Sequence, residues 1–442
     1  MKMLKYTYTL LLTLSLISCE IGQQIDPNSP SIITVGDNAN IAQLNNLVTG
    51  TLFQMRTEVN VYLDEVGVIG REMYRFSGSD PRWHSDLLAA ATLDNNAFYT
   101  TRPFGARYRT IKNANILIDA VNNTEVVTDA ERNGYLGFAK TIIAHELLIL
   151  TNLQYENGIR LQVTDPDNLG PFVSKDEALN FIANLLDEAN ADLNGAEFIL
   201  PLSFGFVGFE TPETFSQFNR ALASRVAAYR GAFAQVLTEL DDSFLDLGGS
   251  LTKGATLVFS QGAGDVTNPF FLPADNTGEN RLAHPGFIED ALSGDTRISK
   301  ALERTPEADD GPGPVTVSDL TSNFDVWLYR SNTDPIPLVR NEELILLYAE
   351  AKIQTGEMLD AVTALNIIRN AYGLADYSGG MDQASLVDEM LFQRRYSLWN
   401  EGHRWVDMRR YNRLNQLPLD RVGDVVHTQF PRPEDEVGVQ GG

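Results

Sequence analysis

Between Pro337 and Asn412 apolar residues recur at a spacing that only helices use. Leu344, Leu347, Tyr348 and Ala351 form one stripe, Gly356 interrupts it, and Ala361, Ala364, Leu365 and Ile368 resume it as far as Gly373. Two helices at hairpin spacing make one tetratricopeptide-like pair. After a glycine-rich break comes QRRYSLWNEGHRWVDMRR, where Arg394, Arg395, His403, Arg404, Arg409 and Arg410 crowd into a chain of net charge -25. Such a cluster needs acidic or carbonyl partners if it is even partly buried. Glu401, Arg404, Asp407 and Arg410 follow at intervals of three, so acid and base can meet on one helical face. Trp399 and Trp405 stand six residues apart, and one of the two is expected to enter the core. The stretch reads as a clasp on the last helical pair, with Arg404 and Trp405 serving stability and His403 packing rather than acting as a base.

The remainder is also mainly α. Apolar spacing predicts a first helix over 40–63, a second over 104–121, and a longer one over 128–157 capped at Thr128 or Asp129. Ser174 to Glu177 is a capping box opening a helix over 174–193, and a further helix covers 214–240. These sketch four pairs: 40–63 with 104–121, 128–157 with 174–193, 214–240 with an unassigned partner, and 340–355 with 357–371. From 241 to 336 the pattern breaks into Gly- and Pro-punctuated segments without sustained period. So long an irregular insertion usually serves function.

Cys19 is the only cysteine. Lys2 and Lys5, the apolar run Tyr6–Ile17 and Ser18-Cys19 read as a lipoprotein signal peptide over 1–18 with lipidation at Cys19. Residues 19–38 then form a tether and 39–442 a single domain. With no thiol left, packing alone holds the fold. Fifty-nine acids against 34 bases repel phosphate backbones, which argues against nucleic acid.

Binding candidates lie in the loops. Gly70–Trp83 combines Tyr74, Phe76 and Trp83 with Arg71, Arg75 and Arg82; rings offer flat apolar faces and arginines directional donors. The same rings could instead cover the first helix pair. The 241–336 insertion adds Phe270, Phe271, Trp327 and Tyr329, and the ligand-facing set is read as Tyr74, Arg82, Trp83, Phe270, Phe271, Trp327 and Tyr329. Catalytic signals are weak. No nucleotide loop and no Gly-x-Ser-x-Gly elbow is present, Ile149 stands where a zinc motif begun by His145-Glu146 needs its second histidine, and Asp165–Gly170 reads as a turn because the acids of a calcium loop are missing. The chain is read as a non-enzyme without metal or cofactor.

The lipobox at Cys19, the Tyr348-Ala-Glu350-Ala351 helix with Gly356, Leu365-Asn366 and Arg369, and the run from Arg394 to Arg410 together resemble the SusD/RagB family of outer-membrane lipoproteins. Gln393 stands where that family often has an acid. The resemblance implies a helical fold of four tetratricopeptide-like units, anchored to the outer membrane at the cell surface. It also implies a partner, a TonB-dependent SusC-like β-barrel, to which a captured nutrient, a glycan or oligosaccharide, is delivered. Two alternatives stay open: a peptide-binding member of the same family, and a lipid-anchored scaffold that binds only proteins.

Overall fold

The structure is a computed structural model that describes residues 38–165, 167–202, 204–306 and 312–437. The signal peptide, Cys19 and the tether up to residue 37 lie outside the described residues.

Helix α1 (Ile41–Met55) opens with a capping box between Asn40 and Gln43. Here the expected single helix divides: α2 (Val59–Ile69) starts after Glu58, which takes φ 57°. Three apolar steps do not reveal this break. Its stabiliser is the buried Arg107, whose guanidinium donates to the Met55 carbonyl at 3.1 Å and to that of Thr57. Strand β1 (Met73–Ser77) and helix α3 (Arg82–Ala89) follow. Next come α4 (Phe98–Asn122), α5 (Asp129–Gln154) with a Thr128–Glu131 capping box, and α6 (Lys175–Leu193) with the Ser174–Glu177 box that its sequence announces. The 214–240 segment is likewise two helices, α7 (Pro212–Tyr229) and α8 (Phe233–Asp241), parted at Gly231 with φ 72°. This segment is therefore its own helical pair, which supplies the missing partner.

The insertion is less irregular than its sequence. It holds β2 (Gly254–Leu257), β3 (Glu279–Ala283), β4 (Ala301–Glu303) and β5 (Phe324–Val326), and β6 (Ile336–Arg340) closes it. A four-stranded antiparallel sheet runs β1–β3–β5–β4, with Tyr74 opposite Leu282, and β6 pairs with β2. Helices α9 (Asn341–Thr355), α10 (Met358–Ala371), α11 (Gln383–Ser397) and α12 (Arg404–Arg410) complete the chain.

Helix α1 packs on α4, α4 on α5, α5 on α6, α6 on α7, α7 on α8, α8 on α9, and α9 on α10 and α11. Each amphipathic face thus finds its cover on the next helix. One hydrophobic cluster runs from Ala39 to Phe430, and a second forms among α9, α10 and α11 around Ile345, Leu365 and Met390.

Most of the basic stretch is the expected clasp. Arg394 pairs with Asp407 at 2.6 Å, Arg410 with Asp407 and with Glu350 at 2.8 Å each, and Arg340 with Glu401 at 2.7 Å. Both tryptophans, not one, are fully enclosed at 0% exposure. The chain reverses between them through Asn400 (φ 57°) and Gly402 (φ 86°), so helical phase does not relate their faces. Trp399 stacks on Phe287 at 4.0 Å and donates its indole N–H to the Glu72 carbonyl at 3.2 Å; Trp405 donates to the His427 carbonyl at 2.8 Å. His145 is satisfied beside Glu146 at 2.8 Å. His403 is buried, and that burial lowers its pKa to about 4.

Candidate functional site

The sheet gathers every segment that carries a candidate ring. Its underside is held by charge: Asp64 on α2 accepts from Arg281 on β3 at 2.5 and 2.7 Å and from Arg75 on β1 at 3.4 Å, all three buried. Arg304 reaches Asp325 on β5 at 2.6 Å. Charges so paired are costly to separate and keep the short strands in register.

On this support Tyr74 stacks with Phe76 at 5.7 Å and lies 5.2 Å from the His284 ring. Trp83 meets Phe98 edge-on at 4.6 Å, with the Arg75 guanidinium 5.7 Å from its ring. Phe270 sits between the Arg281 guanidinium at 4.5 Å and the edge of Tyr329 at 5.6 Å. Tyr74, Trp83, Phe270 and Tyr329 are all buried. Rings covered in this way have no face to offer a ligand, so in this conformation these four furnish the wall behind the site.

Arg82, Phe271 and Trp327 remain partly exposed. Arg82 is held by Asp80 at 2.6 Å with its guanidinium 4.9 Å from the Phe98 ring. Phe271 leans on the core, whereas Trp327, two residues from Tyr329, packs into neither hydrophobic cluster. Its main chain is fixed by donation to the Lys300 carbonyl at 2.7 Å. The Lys300 amine is in turn bonded to the Tyr396 and Ser397 carbonyls at 2.8 and 2.6 Å, and burial lowers its pKa to about 7. This leaves a partly exposed indole at a rigid strand end, with part of its apolar face open to solvent.

Beside the sheet lies a pocket of about 380 Å³ between Gly70–Arg71, His284–Asp290, Arg395, Arg404 and the 416–420 segment. Arg404 lines it. That residue departs from the clasp reading: it makes no hydrogen bond or ion pair to any described residue. The only sequence signal for it is an imbalance, since Arg394, Arg395, Arg404, Arg409 and Arg410 outnumber Glu401 and Asp407 in the same stretch.

Residues 304–437 match the SusD family profile. This chain has the SusD fold, with the SusD family sequence in its last third. A SusD superfamily protein from Bacteroides vulgatus superposes with a TM-score of 0.70 at 14% identity, covering 90% of this chain and 96% of that one. Surface glycan-binding protein A from Bacteroides thetaiotaomicron, solved with laminarihexaose, gives 0.67 at 13% identity over 90% and 97%. SusD-like protein P38 of Formosa agariphila is 34% identical over 102 residues, 20% of either chain, so the match spans about a fifth of that relative. The SusD resemblance drawn from Tyr348–Arg369 and Arg394–Arg410 is upheld, and both stretches fall inside the matched residues.

Proposed function

We propose that this protein captures a saccharide at the cell surface, held to the outer membrane by a lipid on Cys19, and passes it to a SusC-like, TonB-dependent barrel. The half-open Trp327 carries the reading: a rigid aromatic platform, outside both hydrophobic clusters, beside a sheet against which Tyr74, Trp83, Phe270 and Tyr329 are buried. Sugar rings present apolar C–H faces that stack on such an indole. The solved complex of a SusD-fold relative with laminarihexaose supports the ligand class. The helical stack docks on the barrel, and the chain performs binding rather than turnover.

The test uses the soluble form starting at Glu20. Calorimetric titration against a panel of oligosaccharides should find a ligand, and Trp327→Ala should weaken it roughly thirtyfold, the loss of about 2 kcal/mol typical of a central aromatic anchor. The melting temperature should hold, because the ring is not part of the core. Unchanged affinity in Trp327→Ala would sink the assignment.

A further inference from the structure

The pocket lined by Arg404 has a charge pattern unlike the rest of the molecule. Most of its arginines are committed: Arg71 donates to the carbonyls of Val68, Ile69, Pro418 and Val425, and Arg395 to Asp290 at 2.9 Å and the Gly286 carbonyl at 2.9 Å. Arg404 alone has its fork free of described partners. It is held there at a cost, since burial and the neighbouring Arg395 lower its pKa to about 10. Around this one free cation stand carboxylate acceptors: Asp420, bonded to His284 at 3.1 Å, Asp290, and the exposed Glu289, which makes no side-chain bond to the described residues. Leu417 and Pro418 add an apolar wall. Gly286 keeps the floor open, because a Cβ there would lie 3.2 Å from the His284 Nδ1 and 3.3 Å from an Arg395 nitrogen.

A bare dianion fits this poorly, as three carboxylates face it. A neutral sugar would leave the partly exposed Arg404 guanidinium without an anionic partner. A ligand with one carboxylate and several hydroxyls satisfies both parts: the planar carboxylate takes two parallel N–H bonds from Arg404, and the hydroxyls donate to the rim. We propose that this pocket binds an acidic saccharide of the uronic-acid class, its carboxylate on Arg404 and its hydroxyls on Asp420, Asp290 and Glu289. The proposal rests on the saccharide reading above and specifies its chemistry.

The soluble protein is titrated at physiological salt with a glucuronate-containing oligosaccharide, with the same oligosaccharide after reduction of its carboxyl to the alcohol, and with sodium sulfate as competitor. The uronate form should bind at least about tenfold tighter than the reduced one, as a charge-assisted bidentate contact supplies. Arg404→Gln should abolish that preference without lowering the melting temperature, because no described bond is lost. Arg404→Lys, which keeps the cation but not the fork, should retain only part of it and stands in should the glutamine variant fold poorly. Equal binding of the two oligosaccharides overturns the proposal, as does a preference that survives in both variants or full displacement by sulfate. Binding of the reduced oligosaccharide that depends on Trp327 leaves the capture function standing in each of those cases. No binding of either oligosaccharide would count against both.

Discussion

Glu72 offers a test of the interior in which sign and size both follow from position. Its side chain is 3% exposed; one carboxyl oxygen accepts the Asn400 N–H at 3.1 Å, and the other has no partner among the described residues. Burial raises its pKa to about 8, against the lowering pull of the Asn400 N–H, Arg404 and Arg395. The folded chain therefore holds a proton up to about pH 8 that the unfolded chain releases near 4.5. Over that window the native state binds more protons, so stability falls as pH rises. At about 1.36 kcal/mol per pKa unit, the loss between pH 5 and pH 8 is at most about 4 kcal/mol. Glu72→Gln keeps an acceptor for Asn400 and removes the titration. Urea unfolding of both proteins at pH 5 and pH 8 should show near-equal stability in acid and a variant several kcal/mol more stable at pH 8, with m-values alike. If the two proteins' stabilities run parallel from pH 5 to pH 8, the carboxyl is ionised at no cost and the reasoning fails.

Trp405→Ala should cost about 3–5 kcal/mol in urea unfolding, through the cavity and the orphaned His427 carbonyl; a loss under about 1 kcal/mol would show that the site collapses. Asp407→Asn leaves the buried Arg394 without an ion pair and Arg410 with Glu350 alone, and should cost about 3–5 kcal/mol at pH 7. The Asp407 carboxyl is held near pKa 2, where Arg394 and Arg410 outweigh its burial, so this stability is present above the ordinary carboxylate pKa and disappears as pH falls toward 2. A variant whose deficit is the same at pH 2 and pH 7 would contradict that account.

The local signals were legible where one residue decides the outcome. The Ser174–Glu177 box, the Gly356 break and the apolar stripes of α9 and α10 are all readable within one turn of helix, and they fall where expected. What the sequence conceals is long-range. Tyr74 becomes a strand residue only because Leu282, more than two hundred positions later, pairs with it, and each strand is too short to carry a period of its own. The same pairing explains the ring placements: Tyr74, Trp83, Phe270 and Tyr329 look alike in a loop-rich sequence, and the sheet decides that they face inward while Trp327 does not. The break at Glu58 depends on Arg107 from another helix, and the idle fork of Arg404 depends on what its neighbours do with theirs.

The two ends of the described chain are interleaved. Arg71 donates to the carbonyls of Pro418 and Val425, the Val425 N–H to Leu88, and the Phe430 N–H to Leu153. In a chain made from the N-terminus onward, the partners of the earliest apolar segments arrive last. Until then the faces of α2 and α5 that Trp405 and Phe430 will cover are wet, and contacts this distant in sequence are slow to form. The waiting chain is sticky, and a premature stop anywhere before Trp405 would leave not a smaller fold but an unfinished one.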